Sequence, residues 1–223
     1  MPARPTEMCE NCMTRMDLRR CAGCGVMRYC SRECQKAHWK KHKPHCVMNV
    51  ELSKRAEALG SDCSDRLKAI RKWCDVFSIP IGIACVSALD IMNHPERTDK
   101  FLLFIYVHFL PAAKPPYTHE IVDARVLPVA DLRSKIPQQR LELFDSTTSP
   151  RPGMISVLLR DPGFPWNYTK PFVPPTDVLS WRRDPLWLEC LQMRVTHPSQ
   201  PIRPRESIPD SLDATLEQIA KSF

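Results

Sequence analysis

Residues 9–46 read CENCMTRMDLRRCAGCGVMRYCSRECQKAHWKKHKPHC. Seven cysteines and a histidine recur at regular intervals: Cys9-x2-Cys12, Cys21-x2-Cys24, Cys30-x3-Cys34 and His42-x3-Cys46. Four soft ligands fill one tetrahedral zinc site, so eight ligands predict two closed sites. Closed sites keep no position for water or substrate, which points to a structural role. A Cys-x2-Cys knuckle needs a tight turn, and Gly23 and Gly25 on either side of Cys24 supply permissive backbone. The stretch from Ser31 to Lys43 reads as a helix, with Ser31 as N-cap and Glu33 in its first turn. Cys34, His38 and His42 then share one face. Pro44 is expected to stop the helix and let Cys46 turn back to the metal.

Spacing leaves the pairing open. Sequential pairing places Cys9, Cys12, Cys21 and Cys24 on one metal. Interleaved pairing joins Cys9, Cys12, Cys30 and Cys34 at one site and Cys21, Cys24, His42 and Cys46 at the other. The ligand spacing, with Arg28-Tyr29-Cys30-Ser31, Cys34-Gln35, Trp39, His42-Lys43 and Cys46, resembles the MYND-type zinc finger over residues 9–46. The resemblance implies the interleaved pairing, two zinc ions, and His42 rather than His38 as ligand. It leaves His38 and His45 as solvated residues or residues behind the ligands. It further implies a protein-interaction module that docks short Pro-containing peptides, often of PxLxP type. Gln35 and Trp39 occupy the matching groove positions, Trp39 as a flat apolar anchor and Gln35 as the group that meets peptide backbone. Packing of Trp39 against helix and knuckle is the competing account. The chain carries no PxLxP of its own.

Eleven cysteines also suit a disulfide framework by count. Residues 1–8, MPARPTEM, form a short polar tail with no secretory apolar core. Paired knuckles with a histidine in the series favour metal, and hence a reducing compartment, cytosol or nucleus. A segment this small cannot bury a self-sufficient core, so zinc is expected to supply on the order of 10–16 kcal/mol of its folding free energy.

The formal charge is +7. Seven thiolates and two zinc ions lower it to about +4. Lys36, Lys40, Lys41 and Lys43 remain a local basic patch. Phosphate contact with nucleic acid is one reading of it. A solvated helix face is the favoured one, because neither C2H2 spacing nor an aromatic RNA-binding signature is present.

Residues 47–223 are expected to form an α+β domain of unassigned function. Helices are predicted over Asp65–Phe77, ended by Pro80, and over Ile81–Met92. FLLFIYVHFL at 101–110 is too short to span a membrane and reads as a strand buried on at least one face. Further strands are expected over Glu120–Val129, Met154–Arg160 and Leu186–Val195, with helices over Asp131–Phe144 and Ser211–Phe223. Together they suggest a mostly antiparallel sheet after a helical segment. Seventeen of the 22 prolines lie from Pro111 onward, which predicts long loops around Tyr168–Asp184 and Thr196–Pro209. Cys63, Cys74, Cys85 and Cys190 read as small buried hydrophobes.

Some MYND proteins carry the finger within a SET methyltransferase domain. Here the finger stands at the start of the sequence, and Asn93-His94 is a lone fragment of a SET cofactor motif that reads as a helix stop. The six glycines build neither a dinucleotide nor a P-loop motif, and no G-x-S-x-G elbow occurs. The chain is therefore expected to be an interaction module rather than an enzyme. The alternatives are an unrecognised active site in residues 50–223, or nucleic-acid binding through Lys36–Lys43.

Overall fold

A computed structural model describes residues 8–14, 17–148, 155–165, 167–172, 183–196 and 211–221. The chain divides into two compact units, Met1–Lys68 and Ala69–Phe223, with the division inside a helix.

The first unit opens with two short antiparallel strands, β1 (Arg19–Arg20) and β2 (Arg28–Tyr29), paired Arg19 to Tyr29 and Arg20 to Arg28. Helix α1 (Arg32–Ala58) follows. Ser31 caps it in extended conformation, accepting from the Cys34 backbone N–H at 3.2 Å. The helix does not stop at Pro44. It runs on through Pro44 for 27 residues in all, about 40 Å at 1.5 Å per residue. Proline deprives only the Lys40 carbonyl of its helical donor, and both residues lie on the exposed face, where water replaces the bond. His38, His42, Cys46 and Asn49 form the buried face, so Cys46 reaches its partners one helical turn after His42 and not by turning back.

Helix α2 (Ser61–Val76) crosses the division, and α3 (Ser78–Leu89) follows directly. Pro80 lies in the first turn of α3 instead of ending α2. No intrahelical donor is lost there, because the first-turn N–H groups have no helical acceptor. Asp90, left-handed at φ 52°, closes α3, and Asn93 donates to its carboxylate at 2.9 Å. Asn93 and His94 thus belong to the turn after the helix.

Beyond a single turn, α4 (Arg97–Lys100), lie β3 (Phe101–Phe109) and β4 (His119–Pro128). Next come α5 (Val129–Lys135), a 3-10 turn at Gln138–Arg140, and α6 (Leu141–Thr148). The expected helix over 131–144 is broken at Pro137, whose ring cannot continue α5. Strands β5 (Ile155–Arg160) and β6 (Tyr168–Phe172), then helices α7 (Trp187–Val195) and α8 (Leu212–Lys221), complete the unit. The sheet order is β4-β3-β5-β6. β3 pairs antiparallel with β4 and parallel with β5, and β5 pairs antiparallel with β6, so the sheet is mixed but mostly antiparallel.

Both faces of the central strands are covered, which explains the uninterrupted apolar run of β3. Leu102 and Phe104 join Leu127, Leu132, Phe144, Leu158, Leu216 and Ile219 in one core under α5, α6 and α8. Leu103, Ile105 and Val107 alternate to the other face and are equally buried, on the side where α3 and α7 pack.

Two further sequence expectations fail. The stretch from Leu186 to Val195 is a helix, not a strand. Leu188, Leu191, Gln192 and Val195 are its buried residues, at the i, i+3, i+4, i+7 spacing of a helix face. Gln192 also donates to the Ile121 carbonyl of β4 at 2.9 Å. Conversely, β6 forms where a loop was expected. Its Pro171 sits on an edge strand, where a missing N–H costs no ladder bond. Residues 173–182 and 197–209 lie outside the described residues. No single helix among the described residues is long and apolar enough to cross a membrane.

Trp73 is fully buried, its ring 5.6 Å from Phe77 and 5.9 Å from His119. Trp73→Ala is expected to cost about 3–5 kcal/mol, read from the denaturant midpoint of the full chain, while leaving metal content unchanged.

Candidate metal centre

Two knuckles are built on the same backbone device. In the first, Met13 N–H donates to the Cys9 carbonyl at 2.9 Å; in the second, Gly25 N–H donates to the Cys21 carbonyl at 2.8 Å. The closing residue is left-handed in both, Met13 at φ 61° and Gly25 at φ 67°. Each turn aims two thiols to one side. The second knuckle is the turn of the β1–β2 hairpin, held by Cys21 N–H to the Met27 carbonyl at 2.8 Å. Gly23 is needed for closeness rather than for its backbone angle. A Cβ there would stand 3.2 Å from Cys46 Sγ.

The two groups are interleaved. Cys9 and Cys12 meet Cys30, just after β2, and Cys34, in the first turn of α1. Cys21 and Cys24 meet His42 and Cys46 of α1. Within each group all ligand atoms lie within 4.8 Å of one another. Cys12 and Cys30 Sγ are 3.5 Å apart, as are Cys30 and Cys34; Cys21 and Cys46 are 3.9 Å apart. His42 Nε2 stands 3.4 Å from Cys21 Sγ and 3.8 Å from Cys24 Sγ. A tetrahedral zinc with bonds of about 2.3 Å to sulfur has S···S edges of about 3.8 Å. A disulfide would need about 2.05 Å, and all seven cysteines are free. Both donor sets therefore fit zinc, one with four cysteine ligands and one with three cysteines and a histidine.

The protonation chemistry agrees. The Thr14 hydroxyl, 3.1 Å from Cys12 Sγ, and the Thr14 backbone pull the Cys12 thiol down to about 6. Against burial, backbone N–H groups of the knuckle lower Cys9 as well, but Cys30 and Cys46 cannot follow without a cation. The thiols of Cys12 and Cys34 push Cys30 up to about 12. Burial, then the charge of Cys24, pushes Cys46 up to about 12. A dication removes that mutual repulsion and displaces the remaining protons. Burial, with His45 nearby, lowers the His42 pKa and keeps the imidazole neutral, as a ligand must be. Three rings fix its orientation: Tyr29 and Trp39 edge-on at 5.8 and 5.7 Å, and His38 stacked at 6.4 Å.

His38 is buried, not solvated, and its Nδ1 lies 3.0 Å from the Tyr29 hydroxyl. It supports the ring cage and belongs to neither ligand group. Two features escape the sequence reading. One is the left-handed Met13, whose side chain gives no sign of its backbone. The other is the contact of Gln35 with a metal ligand, its Nε2 donating to Cys21 Sγ at 3.4 Å. Trp39 remains 43% exposed. Of the cysteines outside the finger, Cys63, Cys74 and Cys85 are buried as expected. Cys190 instead lines a cleft of about 240 Å³ with Pro80, Ser87, Asp184 and Arg194. Asp184 pushes its thiol up, the opposite of an activated nucleophile.

Residues 9–46 match the family model described as the MYND finger. A 39-residue stretch, 17% of this chain, is 49% identical to SET domain-containing protein 14 of Caenorhabditis elegans and covers 9% of that protein. SET domain and MYND-type zinc finger protein 6 of Schizosaccharomyces pombe is 35% identical over 72 residues, 32% of this chain and 15% of the yeast protein. Histone-lysine N-methyltransferase ASHR1 of Arabidopsis thaliana is 37% identical over 46 residues, 21% of this chain and 10% of the plant protein. This chain thus spans a small part of the length of each. No solved structure matches. The N-terminal segment is a double-zinc MYND finger, a zinc-binding module of the protein-interaction type.

These matches correct the expectation that the chain is not an enzyme. Proteins similar to its finger are named for SET domains and, in one case, for histone-lysine methyl transfer. These matching stretches cover a third of the chain or less, so they assign it no catalytic residue.

Purified chain should hold two zinc ions by elemental mass spectrometry. Chelation should expose seven thiols and unfold 9–46, and acidification, which returns protons to the ligand thiolates, should release metal. Gly23→Ala should weaken the His42-containing site selectively, read as loss of one zinc under mild chelation. Met13→Gly should relieve about 1–2 kcal/mol of left-handed strain and slow metal loss from the all-cysteine site.

Proposed function

We propose that the finger docks a short Pro-containing peptide across Gln35 and Trp39 on α1, in a reducing compartment where its thiolates persist. The observation that carries this reading is the pairing of these two side chains. A thiolate only accepts, so the Cys21 contact fixes the Gln35 amide with its NH2 inward. Its carbonyl oxygen is left to receive a backbone N–H from an extended ligand. Trp39 lies one turn further along and is among the few large apolar side chains left exposed. Proline presents a flat ring and a pre-ordered backbone, which suits an indole face at low entropic cost.

The packing account of Trp39 also has support, since the ring touches His42 edge-on. The two roles separate on substitution. Trp39→Ala should abolish binding of a labelled PxLxP peptide, by tenfold or more in Kd, while elemental analysis still finds two zinc ions. Loss of zinc in that variant would make the ring structural and sink the docking role.

A further inference from the structure

The face that carries Trp39 has a charge pattern that selects among such peptides. Lys36, Lys40 and Lys43 neighbour Trp39 along the helix and are exposed. Relative to Trp39 they stand at i−3, i+1 and i+4. The first and last lie on the rows that bring side chains together on a helix surface. Val47, at 61% exposure, continues the stripe one turn beyond Lys43. No Asp or Glu occurs between Glu33 and Glu51, so the only carboxylate near the three lysines along the helix is Glu33, one turn before Lys36.

We infer that the finger's partner is an acidic peptide: a Pro-containing core with carboxylate side chains within about three residues on either side. This rests on the docking role of Gln35 and Trp39. Lys36 and Lys43 lie about 10 Å apart along the helix axis, the span of roughly three extended residues. A peptide whose core covers Trp39 therefore brings its flanks to the lysines. The apolar stripe of Trp39 and Val47 favours a peptide over nucleic acid. A phosphate backbone would meet lysines interleaved with bare apolar surface. Carboxylates spaced along a peptide meet the cations and leave the apolar residues to its core.

The test uses the zinc-loaded full-length chain and three fluorescein-labelled peptides. All share one Pro-x-Leu-x-Pro core, with flanks of Glu, Gln or Lys. Anisotropy titrations at low salt should rank them Glu, Gln, Lys. The Glu-flanked peptide should bind about tenfold tighter than the Gln-flanked one, an advantage that shrinks as salt rises. The combined variant Lys36→Gln, Lys40→Gln, Lys43→Gln should erase that advantage and leave the Gln-flanked affinity unchanged. Equal binding of the Glu and Gln peptides would overturn the acidic partner while leaving the docking role intact. Binding of none would overturn both. A DNA duplex that displaces the Glu-flanked peptide at physiological salt would assign the lysines to phosphate and also overturn the inference. Should the triple variant lose zinc, the peptide series on the unaltered chain decides alone.

Discussion

Four ligands gathered within 4.8 Å, most of them thiols, repel one another as soon as more than one ionises. That constraint governs the first unit. The knuckles lower Cys9, Cys12 and Cys21 with backbone and hydroxyl donors, as Thr14 does for Cys12, but Cys30 and Cys46 are pushed up. Only a bound cation lets the set exist as thiolates. The apolar cluster around it is small, with Tyr29 as its largest buried side chain, so hydrophobic burial alone does not hold the finger. Interleaving makes the two sites interdependent. The stretch from Cys12 to Cys30 contains the hairpin knuckle of the second site, and α1 supplies Cys34 to one site and His42 and Cys46 to the other.

Helix α1 thereby does two things with one periodicity. Its residues at 38, 42, 46 and 49 face inward, and their spacing holds His42 and Cys46 at the second zinc. The rest of its circumference is left over, and it carries Trp39, Lys40, Lys43 and Val47. Gln35 sits at the seam, one end on a metal ligand and the other toward solvent. A recognition surface built this way inherits its rigidity from the metal site, which limits the entropy lost when a ligand binds.

How much of this is legible in the sequence follows from what each residue type can reveal. Ligand spacing is legible because coordination chemistry admits few residue types. The interleaved pairing is not contained in the spacing and comes from family likeness. Strand β3 is legible because its apolar run is long and rich in branched and aromatic residues. Pro44 misleads because its cost depends on whether the orphaned Lys40 carbonyl can find water, a matter of exposure. Residues 186–195 mislead because a short run of Leu, Trp, Met and Val satisfies both periods until burial is known, and Gln192 settles it only through its bond to β4. Met13 is silent altogether: nothing in a methionine announces φ 61°.

The second unit shows the opposite balance. Its sheet explains its own hydrophobic pattern thoroughly, with one core on each face, yet chemistry is not encoded in that pattern. The α3–α7 cleft gathers Asp184, Cys190 and Arg194, but the carboxylate raises the thiol and so disarms it. Function becomes readable where side chains depart from what packing requires. In the finger, exposure of Trp39 and Val47 and an acid-free stretch of lysines are such departures, since a helix face with no partner would be expected to carry mixed charges and few apolar residues. The same criterion applied to the second unit points to exposed Leu186 and Met193 on and beside α7 as the places where its surface is least accounted for by the fold.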